Sequence, residues 1–492
     1  MTLPGKGNAA MGSSPSKSEE TAFAAEIPQY TNHGDDDETS TIQTHHPGFT
    51  TADRTDMRRM GKTQSLLRTF PSLPILSFAI VLQSTWEFLL ISITQGLIDG
   101  GLAGLFWSYI WTFLGFLPII ASIAEMASMA PTSGGQYHWV SEFAPRRYQR
   151  FLSYFTGWQA TLAWQSATAS GSFLSGTIIQ GLVSVNYPDY EATRWQGTLL
   201  VFAMVLVLLG ANIWGWRALP TAQHLALVFH LTLFLAIVVC FWALAPTHQP
   251  ARTVFTQFYN GGGWATGGLS VMVGQISAIY GSLSSDAAAH LSEEVSGAGL
   301  SVPRAIFWSY TINGALGFVF LVSFLFAIDD VEAAIGDPSG YPFLYVFGRM
   351  ERLGRGGVSG LTGAFLGLLT VSNVNFNAAA ARQLFAFGRD GGLVFGGWIS
   401  KVHPTRHIPT NAILLTGALT ALLSLINIGS TAAFNAIISL STVSLMLTYA
   451  LSIGCVLHRR LTDPRSLPRA RWSLGRWGVG VNVAGLGYSI FA

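Results

Sequence analysis

Leu73 to Gly96 reads as a membrane-spanning segment with a polar interruption, Gln83-Ser84-Thr85-Trp86-Glu87, at its centre. A spanning helix needs roughly 20 predominantly apolar residues. A carboxylate near the bilayer centre costs on the order of 3 kcal/mol on insertion scales unless it faces a cavity or a partner. Glu87 therefore marks a functional position. Working outward, the sixth apolar stretch carries a similar device, Ser282-Leu283-Ser284-Ser285-Asp286. Two interrupted spans, five helices apart, point to a transporter, because substrates bind where spanning helices are discontinuous.

Composition agrees with that class. Half of the 492 residues are hydrophobic, 11% are charged, and mean hydropathy is +0.41. A soluble domain carries about a quarter charged residues, so the chain reads as an all-α polytopic membrane protein. The net charge of +2 says little, and nucleic-acid binding is set aside. Cys240 and Cys455 lie in apolar segments near opposite faces, which argues against a disulfide. No apolar run follows a charged start, so the first spanning helix is expected to do the targeting. No Walker loop, zincin motif or nucleophile elbow occurs. Neither an enzyme nor a cofactor or metal is expected.

Residues 1–70 are expected to form a disordered cytoplasmic tail. The stretch is rich in Ser, Thr, Asp and Gly, has an acidic run at Asp35-Asp36-Asp37-Glu38, and ends in a basic collar of Arg58, Arg59, Lys62 and Arg68. Eleven apolar stretches follow, near 72–98, 102–127, 151–183, 196–216, 221–245, 264–289, 304–328, 358–386, 409–428, 431–457 and 475–492. Residues 71–457 make a ten-helix core. Residues 458–492 make a cytoplasmic loop and a partial eleventh helix. With the N-terminus inside, the outer loops hold only Arg194, Arg252, Arg349, Arg352 and Arg355 of the 27 Lys and Arg residues. That bias sets a cytoplasmic N-terminus. Tyr341 to Phe347 is too short to span and reads as an outer interfacial or re-entrant segment.

Several polar groups in the spans are candidates for a substrate site. At the first break, Ser84, Thr85, Trp86 and Glu87 can meet an amine, through carbonyls freed by the break or through the carboxylate, or Glu87 can carry a proton. Alternatively the hydroxyls bond their own helix and Glu87 braces the bundle. Helix 6 offers Tyr280, Gly281, Ser282, Ser285 and Asp286, although Asp286 can equally cap the next half-helix. Glu293 and Glu294 read more readily as a solvated surface pair than as a gate. Trp164 and Gln165 on helix 3, and Asn373 and Asn377 at i, i+4 on helix 8, can line the same cavity or hydrogen-bond between helices. Trp86, Trp164 and Tyr280 together can box a quaternary ammonium. His224 and His230 lie on helix 5, where packing is the simpler reading and proton coupling the other.

Four stretches resemble the amino acid-polyamine-organocation superfamily, in particular its fungal GABA permease and choline transporter-like branch. Ala124 to Val140, through Pro131-Thr132-Ser133-Gly134-Gly135-Gln136-Tyr137, is similar to the segment after helix 2. Asp56 to Lys62 with Ser84-Thr85-Trp86-Glu87 resembles the collar and helix 1. His290-Leu291-Ser292-Glu293-Glu294-Val295 resembles the end of helix 6. Ala381 to Leu393, with Lys401-Val402-His403-Pro404, resembles the connection from helix 8 to 9. The resemblance implies two inverted five-helix repeats, helices 1–5 and 6–10, with substrate between broken helices 1 and 6, a leucine-transporter-like fold. Relatives usually have twelve helices, so a missing twelfth is expected. Two departures stand out: Ser284-Ser285-Asp286 replaces a Gly-Ala-Asp-like run, and helix 5 lacks the lysine of some bacterial relatives.

The resulting expectation is a plasma-membrane permease that imports a small amino acid, GABA, choline or a related amine by proton symport. Its partners are that substrate, the proton and membrane lipids, with Glu87 and Asp286 as the proton-coupling acids. A nutrient sensor of the same fold is the alternative.

Overall fold

A computed structural model describes residues 49–492, and for residues 431–438 the backbone alone. The described residues are helical, apart from loops and one isolated bridge between Phe70 and Val295. A short α1 (Thr51–Arg59) precedes α2 (Ser72–Gln83), α3 (Thr85–Met129), α4 (Gln136–Phe143) and the long α5 (Gln149–Asn186). Next come α6 (Arg194–Trp214), α7 (Leu219–Leu244), α8 (Ala251–Thr256), and the fragments α9 (Gly267–Gly274), α10 (Ile276–Tyr280) and α11 (Ala287–His290). The rest are α12 (Ala298–Ala327), α13 (Val331–Ile335), α14 (Pro342–Arg349), α15 (Gly354–Arg389), α16 (Gly396–Ile399), α17 (Thr410–Gly429), α18 (Thr431–Thr462) and α19 (Gly478–Phe491).

Among the described residues, seven helical segments are long and apolar enough to cross a membrane, which makes this an integral multi-pass protein. The eleven apolar stretches map onto these and three others for physical reasons. The segment Ser72–Met129 contains two stretches, run together through a kink at Asp99 and Gly101. α5 is long but diluted by serines and threonines, α9–α10 is cut short by a break, and α19 has only 14 residues.

The broken helices run antiparallel. The Ser277 hydroxyl bonds the Ser92 carbonyl and accepts from the Gly96 amide, while the Ser270 hydroxyl bonds the Asp99 carbonyl. Partner numbers fall along one helix as they rise along the other. The breaks themselves also meet: a Cβ on Gly281 would lie 3.2 Å from the Thr85 carbonyl oxygen. The Tyr341 to Phe347 segment is α14, whose Phe343, Leu344, Val346 and Phe347 are all buried beneath the face opposite the basic collar.

The expected tail falls largely outside the described residues, at 1–48. Inside its boundary, however, Thr51–Arg59 is a helix with a complete capping box between Thr50 and Asp53. Composition averages conceal such a local signal. Asp53 is buried and also accepts from the amides of Gly297 and Ala298 at 3.0 Å each, so it caps the start of α12 from a distant part of the chain.

Candidate functional site

Both breaks turn on a serine in the left-handed backbone region, Ser84 at φ 42 and Ser284 at φ 69. Such a conformation costs an L-residue about 1–2 kcal/mol and ends a helix abruptly. At the first break the loosened carbonyls are already occupied. Asn313 donates to Ile80 O at 3.0 Å, the Ser84 hydroxyl to Val81 O, and the Ser372 hydroxyl to Leu82 O at 2.9 Å. These three carbonyls therefore hold protein donors.

A cavity of about 30 Å³ lies between the breaks. Phe88, Trp164, Tyr280 and Phe376 supply its aromatic wall, and Gln83, Ser284 and Ser441 its polar groups. Two lining residues carry buried N–H groups without a partner, Gln83 Nε2 and Trp164 Nε1. Unpaired buried donors are costly, so they mark where a ligand or water oxygen belongs. Tyr280 separates this cavity from a vestibule of about 540 Å³ toward the opposite face, lined by Ser92, Gln95, Ser277 and Thr442 among others. Its hydroxyl lies 2.8 Å from Ser170 Oγ, and its ring meets Phe88 edge-on.

Of the candidates named from sequence, Trp164 and Tyr280 line the cavity, while Ser84 and Gly281 shape the breaks. Trp86 points elsewhere, into the rings of His230, Phe234, Phe320 and Phe365. The aromatic wall therefore uses Phe88 and Phe376 beside Trp164 and Tyr280. Glu87 is fully buried, with Oε1 2.6 Å from His230 Nδ1, and its Oε2 has no partner. Ser282 bonds back to Ala278 O, Gln165 donates to Thr416, and Asn373 donates to Gly171 O and Ser175 Oγ. Thr85 Oγ1, Ser285 Oγ and both polar atoms of Asn377 are buried and unpaired.

Asp286 does not cap its half-helix. Its Oδ1 accepts from the Tyr449 hydroxyl at 2.6 Å and its Oδ2 from Gln136 Nε2 at 2.5 Å, with His290 Nε2 at 3.6 Å. Tyr449 carries no signal in the sequence, and Gln136 stands there only within the stretch after helix 2 that carries the resemblance, since contacts across more than 100 residues leave no local pattern.

The basic face is shut by ion pairs. Glu293 and Glu294, read as a solvated pair, are both buried: Glu293 meets Arg389 at 2.7 and 2.8 Å, and Glu294 meets Arg382 at 2.7 Å. They are buried because arginines from α15 neutralise them, which is the usual condition for a buried acid. Burial alone would raise the Glu293 carboxyl. The Arg389 guanidinium, the Ser133 amide and the Thr132 hydroxyl outweigh it and hold the carboxyl at about 2. Outside this layer Arg59 pairs with Glu142 and Lys62 with Asp390. A further buried acid that sequence reasoning passed over, Asp99, takes Gln95 and the Trp264 indole at the vestibule end.

The described residues contain no group of His, Cys, Asp and Glu able to hold a metal ion. Against known proteins, residues 73–492 match the family model described as amino acid permease. A Macrophomina phaseolina protein named as an amino acid/polyamine transporter is 32% identical over 85% of this chain and 91% of its own length. The choline transporter of Saccharomyces cerevisiae is 27% identical over 87% of this chain and 75% of its own. Amino-acid permease 2 of Neurospora crassa is 24% identical over 88% and 80%. Broken helices around a small cavity, closed by ion pairs on one face and a tyrosine on the other, form a transporter's architecture and not an enzyme's. The chain belongs to the amino acid permease family.

Proposed function

We propose that this permease imports a small amine carrying an acceptor oxygen, such as GABA, choline or a neutral amino acid, together with a proton. The observation that carries the reading is the cavity between the two breaks. Its aromatic faces suit an ammonium, and the free donors on Gln83 and Trp164 suit a carboxylate or hydroxyl. Among the described residues no ionised side chain lines it, so recognition rests on rings, hydroxyls and amides.

A cavity of about 30 Å³ holds little more than a water molecule. Substrate entry therefore requires its wall to move, with Tyr280 swinging from between cavity and vestibule. Release requires the Glu293 and Glu294 ion pairs to part. Alternation between these states is the transport cycle. The antiparallel pairing of the two broken helices supports two inverted repeats, helices 1–5 and 6–10. The basic face is taken as cytoplasmic, from the arginine bias, in a plasma membrane. Coupling to a proton is supported by an acid buried beside the second break, Asp286, whereas Glu87 at the first is paired with His230 and is assigned here as a brace.

Uptake of labelled GABA, choline and alanine into a permease-deficient host tests the reading. Expression should raise accumulation of one of them, and Trp164→Ala should abolish it while surface expression persists. Absence of uphill accumulation of any labelled small amine would sink the proposal.

A further inference from the structure

Charge accounting around the closed face leaves one anion over. Arg389, Arg382 and Arg68 face Glu293, Glu294 and Asp53 in turn, at 2.7, 2.7 and 3.5 Å. Among the described residues, Asp286 has no arginine or lysine within 4.0 Å. Each of its oxygens accepts a hydrogen bond from a neutral donor, Tyr449 or Gln136. A fully buried carboxylate needs a cation nearby. The basic group facing it is His290.

The ring orientation of His290 follows from its partner. Nδ1 lies 3.0 Å from the Ser133 carbonyl oxygen, which can only accept, so Nδ1 carries the hydrogen. Nε2 is then the basic position. It is buried, has no hydrogen-bond partner, and sits 3.6 Å from Asp286 Oδ2. The ring is confined between Trp164, edge-on at 5.0 Å, and Gly135, where a Cβ would come within 3.0 Å of Cε1. Trp164 also lines the cavity, while the Ser133 amide donates to Glu293. His290 thus touches the substrate wall, the helix 6 break and the gate.

We propose that the Asp286–His290 pair binds the coupling proton, on Nε2 of His290, and that this proton latches the gate. This rests on the proton-coupled reading above. With the proton bound, Nδ1–H holds Ser133 and Nε2–H holds Asp286, tying the Thr132 to Gln136 loop to helix 6. Without it, a lone pair faces a carboxylate and the tie is lost. Substrate pressing on Trp164 displaces the imidazole from Asp286, the gate opens, and the proton leaves to water on the basic face. The protonated but empty protein stays shut, which prevents a proton leak.

Proteoliposomes containing the full chain test this, with labelled choline, GABA or alanine as probe, whichever the wild type takes up. Two quantities are read: counterflow, which needs no net proton movement, and accumulation driven by a pH gradient. Wild type should show both, and failure of its gradient-driven accumulation would overturn the proton-coupled reading itself. His290→Gln should keep counterflow within about threefold, lose gradient-driven accumulation by about tenfold or more, and flatten the pH profile between about pH 5 and 8. Unchanged accumulation with an unchanged profile would overturn the assignment. Should His290→Gln elute as aggregate, Asp286→Asn decides. That substitution removes the anion facing Nε2, so the midpoint of the transport profile should move to lower pH. A midpoint left in place would refute the pair.

Discussion

The two helix breaks share a backbone device and differ in what surrounds their acids. Ser84 and Ser284 both adopt the left-handed region. Near the first, Glu87 meets only the His230 imidazole, and the adjacent Trp86 packs that pair into Phe234, Phe320 and Phe365. Near the second, Asp286 meets a phenol and an amide drawn from two distant parts of the chain, and an imidazole four residues along its own half-helix. A fully buried, two-member pair among rings is suited to bracing. A carboxylate with neutral donors and an imidazole whose Nε2 has no partner is suited to switching. The same residue class is thus suited to different ends because the side chains around it differ.

The largest effect expected from this contrast lies at the first break. Glu87→Leu leaves His230 buried without its partner, and removing one member of a buried pair costs about 3–5 kcal/mol. Thermal unfolding in detergent should show that loss, and Glu87→Leu with His230→Leu should recover most of it. A single mutant as stable as wild type would break the assignment of Glu87 as a brace.

Much of this was legible in advance, for reasons that separate the two breaks. Interrupted hydrophobicity located both, because a polar run inside an apolar span is a local signal. The flanks of most helices also followed from apolar length, as with α17 and α7. The orientation of Glu87, by contrast, depends on a ring 143 residues away. The burial of Glu293 depends on Arg389, since a pair of adjacent glutamates looks solvated until its cations are placed. The aromatic wall was half legible: Trp164 and Tyr280 were identified, but Phe88 and Phe376 look like any lipid-facing phenylalanine in a one-dimensional reading.

A smaller effect is expected at the gate. Arg389→Ala leaves the Glu293 carboxylate unpaired and should weaken closure on the basic face. A cysteine at Leu445, in the cavity wall and in a background lacking Cys240 and Cys455, should then react about tenfold faster with an impermeant thiol reagent added from that face. Arg389→Lys should restore much of the protection. The pH response sharpens the contrast with the second break. The Glu293 carboxyl is held at about 2 in the closed gate against an ordinary value of 4.5 when solvated. A depressed carboxyl stabilises the closed form fully above its ordinary value, and that contribution fades as pH falls from there toward 2. In a His290→Gln background, labelling relative to an exposed reference cysteine should therefore be flat from pH 8 down to about 5. A persisting slope in that range would place the titrating group elsewhere.

The smallest effect isolates the shared device itself. Glycine adopts the left-handed region without the cost of a Cβ, so replacement should relieve about 1–2 kcal/mol of local strain, less about 0.5–1 kcal/mol for the looser unfolded chain. At Ser84 the hydroxyl also bonds Val81 O, a contribution of about 1 kcal/mol. At Ser284 the side chain lines the cavity instead. Ser284→Gly should thus leave the protein as stable or slightly more stable, whereas Ser84→Gly should be neutral to slightly destabilising. Transport should follow the opposite order, since only Ser284 contributes to the cavity wall. Equal responses in both assays would mean that the two serines matter for backbone conformation alone, and that the asymmetry of the breaks lies wholly in Glu87 and Asp286.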